Sequence, residues 1–359
     1  MIDNMIYEID RWHSKVYAVY EYKINTYILG ENMKVTIEDV VKKSGLSYVT
    51  VSRVISNSPN VRESNRKRVL DAIEELGYIP SAAARTLATG KTFVIAMFVS
   101  NLGDDFFDSI MKEVNEQLLE KGYLLTLSVC DESSDRMNTS FFHQDRVDGV
   151  ILLVPNREKY FIDIFKAKKI PFVVMDNQTM NEDITSVQAD NIAGGYIATK
   201  HLVDLGHREI GFIGASAASL STMERQLGAN KALAEAALQP FAIENGEYDQ
   251  PTGYRAVMQW KESKGLPSAI FAFDDHIAVG AINAIKDLGL KVPEDISVCG
   301  YDDSQLANHY FPRITSVRQP AKEMAISAVE KLLALIDGQE IGTYATKYPP
   351  KLMIKDSTQ

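Results

Sequence analysis

A chain of 359 residues exceeds what one ordinary hydrophobic core holds, so two or three domains are expected. Its 45% hydrophobic and 24% charged residues match a globular protein, and no stretch approaches the ~18 uninterrupted apolar residues of a membrane span. The net charge of −10 is uneven: residues 33–91 carry ten Lys/Arg against six Asp/Glu, a surplus of +4 that leaves −14 elsewhere. A basic head on an acidic body implies an anionic partner at one end.

Residues 1–32 hold five tyrosines and a tryptophan but no sustained periodicity and no apolar signal-peptide run. They read as a disordered or mis-annotated leader, with a natural start at Met33. Cys130 and Cys299 are too few for a disulfide framework, and the six histidines are scattered. No metal or cofactor is expected, and a reducing cytoplasm is the default compartment.

Residues 33–80 read as short helices joined by tight turns. Thr36 is placed to cap a first helix, with Asp39 three residues on, and Gly45 supplies a left-handed residue to end it. Ser47 then caps a second helix after only a few residues. Val40, Val41, Leu46, Val51, Val54 and Ile55 fall where they would pack the two together. This is the pattern of a helix-turn-helix, whose second helix enters the DNA major groove by its N-terminal end. Tyr48, Val49 and Arg53 lie on the free face, where arginine forks two hydrogen bonds to guanine and valine meets a thymine methyl. An αα-hairpin with an ordinary solvated arginine fits the same spacing.

Residues 81–91, in the small-residue stretch "IPSAAARTLATGK", form a linker with room for barely two helical turns. From Phe93 onward, apolar runs such as "FVIAMFV", "GVILLV", "PFVVM", "AIFAF" and "ISVCG" alternate with helical stretches near 107–121, 192–205, 223–238 and 276–288. Continuous apolar strands alternating with amphipathic helices imply doubly wound parallel sheets covered on both faces. Two such lobes are expected within 92–359. Lobe 1 takes about 92–189 and 319–345, including a helix near 321–337; lobe 2 takes about 190–318 and 346–359. No nucleophile turn or phosphate-binding loop is present, and "GFIGAS" is a strand end rather than a dinucleotide loop, so the body reads as a sensor, not an enzyme. Asp274-Asp275 and Asp302-Asp303 are paired carboxylates, but neighbours in sequence point in different directions. Capping of the following helices is the plain reading for Asp275 and Asp303.

"VTIEDVVKKSGLSYVTVSRVISN" and "NRKRVLDAIEELGYIPSAAARTLATGK" closely resemble the DNA-binding head of the LacI/GalR (lactose-repressor) family. The body resembles that family's effector core over "RVDGVILL", "ADNIAGGYIATKHLVDLGHREIGFIG", "AIFAFDDHIAVGAINAIKDLGLKVPEDISVCGYDD" and "ITSVRQP". The resemblance implies an all-α helix-turn-helix head and a periplasmic-binding-protein-like α/β core. It implies a homodimeric regulator, most simply a repressor, on a palindromic double-stranded DNA operator. Tyr48, Val49 and Arg53 would read bases, and Thr50 and Ser52 would meet phosphates. Leu87 would wedge into the minor groove from a hinge helix that orders on DNA. Effector contacts are implied for Phe107, Asp176, Ser221, Arg225, Tyr248, Asp274, Asp302 and Gln319, a set suited to a small carbohydrate, with a nucleobase as the alternative. Three departures stand out. Arg62 replaces the serine usual before the third helix, which weakens that cap. Asp105 replaces a proline in the first-lobe loop, and Asp274 stands where many relatives carry Asn or Ser; both add acid near the ligand and favour a neutral or hydroxyl-rich ligand over a phosphorylated one.

Overall fold

The computed structural model describes residues 35–55, 60–78, 86, 89–100, 102–130, 146–155, 157–178, 184–216 and 219–359. The leader, Leu87 and most of the linker therefore lie outside the described residues. The chain divides into two compact units, 1–90 and 91–359. Among the described residues no helix is long and apolar enough to cross a membrane.

Among the described residues the first unit contains three helices: α1 (Ile37–Ser44), α2 (Tyr48–Ile55) and α3 (Glu63–Leu76). Both predicted signals at the α1 ends are in place. The Asp39 carboxylate accepts the Thr36 N–H at 2.9 Å, and Gly45 takes φ 64° and donates its N–H to Val41 O. A left-handed φ costs little only where there is no Cβ, so the turn into α2 depends on that glycine. Ser47 Oγ accepts the Thr50 N–H at 3.3 Å, capping α2. Val40, Val51, Val54, Val69, Ala72 and Tyr78 form the buried centre, and Val41, Leu46 and Ile55 pack against it. Arg68 of α3 reaches the Ser44 carbonyl at 2.6 Å and satisfies the end of α1. Arg62 makes no side-chain cap to α3, as its substitution for serine predicts.

The second unit contains two lobes. Lobe 1 is built on β1 (Val94–Val99), β2 (Leu124–Val129), β3 (Gly149–Leu153), β4 (Phe172–Met175), β5 (Ser186–Ala189) and a late strand. Helices α4 (Asp105–Glu120) and α5 (Glu158–Lys168) connect them. Lobe 2 follows with α6 (Asn191–Asp204), β6 (Ile210–Gly214), α7 (Leu220–Glu235), β7 (Ile243–Asn245) and α8 (Gln250–Ser263). It continues through β8 (Ala269–Ala272), α9 (Asp275–Asp287), β9 (Ser297–Asp302), α10 (Gln305–His309) and β10 (Thr315–Arg318). The chain then returns to lobe 1 as α11 (Ala321–Ile336) and β11 (Ala345–Tyr348), and ends in lobe 2 with β12 (Lys351–Met353).

The sheet orders are β11-β5-β4-β3-β1-β2 and β12-β10-β9-β8-β6-β7. Every pairing is parallel except β12, which runs antiparallel to β10. Central strands such as β3 and β8 are buried along their whole length, as their unbroken apolar sequences require. Because β11 pairs with β5 through Tyr348, the return segment of lobe 1 runs past the boundary at 345 expected from sequence. The chain passes between lobes after β5, after β10 and between β11 and β12.

Candidate functional site

On the head, the first turns of α2 carry the predicted DNA-reading side chains. Tyr48 and Val49 are 54% and 57% exposed, against 0% and 4% for Val51 and Val54 on the opposite face. Arg53 is exposed and Ser52 half-buried. The Thr50 hydroxyl lies 2.9 Å from Ser47 Oγ, so part of its bonding capacity is spent inside the capping turn. Val49 thus stands outward in the first turn of α2, and Arg53 stands outward in its last turn.

In the core, the carboxyl ends of the strands of both lobes face one cleft, the position where open parallel sheets bind ligands. A cavity of about 770 Å³ occupies it. Phe107, Asp176, Ser221, Arg225, Tyr248, Asp274, Asp302 and Gln319 all line it, so eight residues spread over two hundred positions converge as expected. Each is placed by local structure. Asp176 follows β4, Asp274 follows β8, Asp302 ends β9 and Gln319 follows β10, while Ser221 and Arg225 lie in the first turns of α7. Phe107 serves both the buried core of lobe 1 and the cavity wall. Tyr248 sits at the rim, 42% exposed, with its hydroxyl near Ser219 and Thr222.

Arg225 is the electrostatic centre. Its Nε donates to Asn191 Oδ1 at 3.0 Å, another nitrogen donates to the Phe273 carbonyl, and its guanidinium lies 3.7 Å from the centre of the Tyr301 ring. The nearest carboxylate oxygen, on Asp302, is 4.0 Å away. Close helix packing fixes its position: a Cβ on Gly195 of α6 would stand 1.9 Å from the Arg225 carbonyl oxygen, and one on Gly228 would stand 1.9 Å from that of Ile192. Only glycine lets the two backbones approach so near.

The acids are strongly perturbed. Burial pushes Asp176 up to about 6, with Arg225 opposing the shift. Burial, then the neighbouring Asp275, lifts Asp274 to about 7. Asp302 is held well above the carboxylate range by burial and by Asp274, against the pull of Arg225 and a 2.6 Å hydrogen bond from Gln319 Nε2. Burial works against the charge on Arg225, yet Tyr301 and Asp302 keep it firmly protonated. Asp176 and Asp302 also take left-handed φ values of 52° and 103°, backbone strain concentrated at the cavity wall.

Several lining residues escaped the sequence reading, among them Ser100, Asp104, Gln178, Ser216 and Glu247. Gln178 of lobe 1 donates from Nε2 to Ser221 Oγ of lobe 2 at 2.9 Å and accepts the Ser221 N–H on Oε1 at 3.3 Å, bridging the cleft. Asp104 caps α4, its Oδ1 accepting the N–H groups of Phe106 and Phe107 at 3.0 Å. Its neighbour Asp105, expected to add acid at the ligand, lines a different cleft instead. The capping expectation also needs correction. Asp274, not Asp275, caps α9, accepting from His276 and Ile277. Asp275 is a buried cross-link to Ser304 and Ser316, while Asp303 pairs with Arg318 and Lys355 and leaves the cap of α10 to Ser304. Among the described residues no group of three His, Cys, Asp or Glu side chains is arranged to hold a metal ion.

Family models match both units: bacterial regulatory proteins of the lacI family over residues 36–81, and a periplasmic binding protein-like domain over 199–358. The HTH-type transcriptional repressor PurR of Photobacterium profundum is 32% identical over 331 residues, covering 90% of this chain and 98% of its own. The chain belongs to the LacI family. Another member named PurR, from Pectobacterium carotovorum, is 35% identical over 330 residues, covering 90% of this chain and 96% of its own. Among solved LacI-family structures, the lac repressor dimer bound to operator and the anti-inducer ONPF superposes with a TM-score of 0.79 at 29% identity. That likeness covers 90% of this chain and 99% of the other. A complex of the transcriptional regulator CelR with cellobiose matches at TM-score 0.69 and 30% identity, over 90% of this chain and 99% of the other. This protein is accordingly a DNA-binding transcriptional repressor of the LacI type.

Proposed function

We propose that the protein represses transcription as a homodimer on a palindromic operator, under control of a small hydroxyl-rich effector, most simply a carbohydrate, bound in the interlobe cavity. Tyr48, Val49 and Arg53 read base edges, Thr50 and Ser52 meet phosphates, and Leu87, outside the described residues, wedges into the minor groove. One small head spans too little DNA for an operator, and a two-fold pair matches a palindrome. The domain reading that goes with this is a head over 33–80, a hinge over 81–91 and an effector core over 92–359.

The convergence of Phe107, Asp176, Ser221, Arg225, Tyr248, Asp274, Asp302 and Gln319 on one cavity carries the effector reading. Carboxylates, a guanidinium and an amide offer paired hydrogen bonds to vicinal hydroxyls, while Phe107 and Tyr248 offer faces to a ring. Cellobiose in the CelR complex favours the carbohydrate class. A nucleobase is the second reading, favoured by the relatives named PurR. The effector acts by binding one arrangement of the lobes better than another and so shifting the dimer between DNA-competent and incompetent states.

A thermal-shift screen of sugars and free purines on the full chain tests both classes. A true effector at 100 times its Kd adds about 2.7 kcal/mol of stability. The same compound should change the affinity for a selected operator, and stabilisation with no change in DNA binding would refute the regulatory coupling.

A further inference from the structure

The cavity holds more carboxyl groups than its cation can answer. Asp104, Asp176, Glu247, Asp274 and Asp302 line it, and Arg225 is the only lysine or arginine among the described lining residues. Much of that guanidinium is committed to the scaffold of lobe 2, through Asn191, the Phe273 carbonyl and the Tyr301 ring.

The acids oppose one another within each lobe and across the cleft. Asp104 of lobe 1 repels Asp176 of the same lobe and Asp302 on the far side, and within lobe 2 Asp274 both repels Asp302 and shares a hydrogen bond with it. Asp104 spends Oδ1 on the start of α4, and its Oδ2 has no hydrogen-bond partner among the described residues. Beside it, at the end of β1, the buried Ser100 hydroxyl is likewise unpartnered and lines the same cavity. A neutral ligand would leave like charges facing each other in a low-dielectric space, or would require them to take up protons. A phosphorylated ligand would add to the repulsion. The acids are not grouped as metal ligands among the described residues.

Resting on the effector reading above, we propose that the effector carries a protonated amine beside its hydroxyls. It is an amino sugar or a comparable polyhydroxylated ammonium ion, seated between Asp104 of lobe 1 and the Asp274–Asp302 pair of lobe 2. An ammonium group supplies one positive charge and three N–H donors to carboxyl groups whose present donors are helix-start N–H groups and Gln319, and by bridging two lobes it turns interlobe repulsion into attraction. Its hydroxyls remain for Arg225, Gln319 and Ser100.

The test uses matched probes on the full chain, in a buffer free of primary amines at pH 7. D-glucosamine, D-galactosamine and D-mannosamine are each titrated against D-glucose, D-galactose and D-mannose. Protonated Tris is compared with pentaerythritol, its near-isosteric neutral counterpart. At least one amine is expected to bind tenfold or more tightly than its neutral partner, and Tris to raise the Tm where pentaerythritol does not. Asp104→Asn retains a good helix cap, so the variant should fold while its preference for amine over neutral falls towards unity. Neutral sugars or a free purine binding as well as every amine, or an unchanged preference in Asp104→Asn, would overturn the ammonium assignment and leave the effector cavity standing. Silence from every probe, the Tris pair and purines included, would overturn both.

Discussion

In the head, Tyr48 and Val49 stand 54% and 57% exposed over a small core that does not need them, whereas in the cleft Arg225 and Asp274 are 5% and 7% exposed. The cleft residues are also bonded into the fold: Asp274 caps α9, and Arg225 ties α7 to Asn191 and to the strand end at Phe273. The difference bears on how each region can vary. Side chains on the exposed face of α2 can be exchanged with little effect on the scaffold, whereas the buried polar groups of the cleft cannot be exchanged without changing stability.

The sharpest way to break this contrast is Arg225→Ala. Removing the cation strands several buried carboxylates, and loss of one partner of a buried charge pair costs roughly 3–5 kcal/mol. Chemical denaturation should show a loss of that order together with an absent effector response; a variant as stable as the parent would refute the dual role. Arg53→Ala is the counterpart in the head. It should cost about 1–3 kcal/mol of preference for the selected palindrome over scrambled duplex at fixed salt. Undiminished preference would sink the reading of α2 as the base-reading helix.

The smallest expected effect concerns pH. Asp176 is raised to about 6, and Asp274 and Asp275 to about 7, so the folded core holds these protons more tightly than the unfolded chain does. Their contribution is full below the ordinary carboxylate value near 4 and is lost as pH rises through 6 to 7. In the absence of effector, the melting temperature of the core should therefore fall more steeply between pH 5.5 and 7.5 for the parent than for Asp274→Asn, which keeps the cap without the titration. Scanning calorimetry across that range resolves it, at roughly 2–4 °C per kcal/mol, and equal slopes would contradict the burial of Asp274 as its cause.

The head was legible because its signals are local. Gly45, Ser47 and the apolar spacing of Val51, Val54 and Ile55 fix two helices and a turn within some twenty residues. The long apolar strands of both lobes were legible for the same reason. The short strands β5, β7, β10, β11 and β12 are three or four residues each, partly polar and without a periodic pattern, so only their partners define them. Asp274 and Asp302 could be singled out because they end apolar runs within matched motifs. Asp104, Gln178 and Glu247 come from loops that the lobe crossovers bring together, and spacing along the chain holds no trace of that meeting. The roles of Asp274 and Asp275 were exchanged because which neighbour caps a helix depends on where the helix begins, by a single residue.

The Gln178–Ser221 bridge joins the lobes through two hydrogen bonds and asks nothing of an effector. The protein thus supplies part of the attachment between its lobes from its own side chains. Gln178 and Ser221 also line the cavity, so any exchange at Gln178 acts on the union of the lobes and on the surroundings of a ligand together.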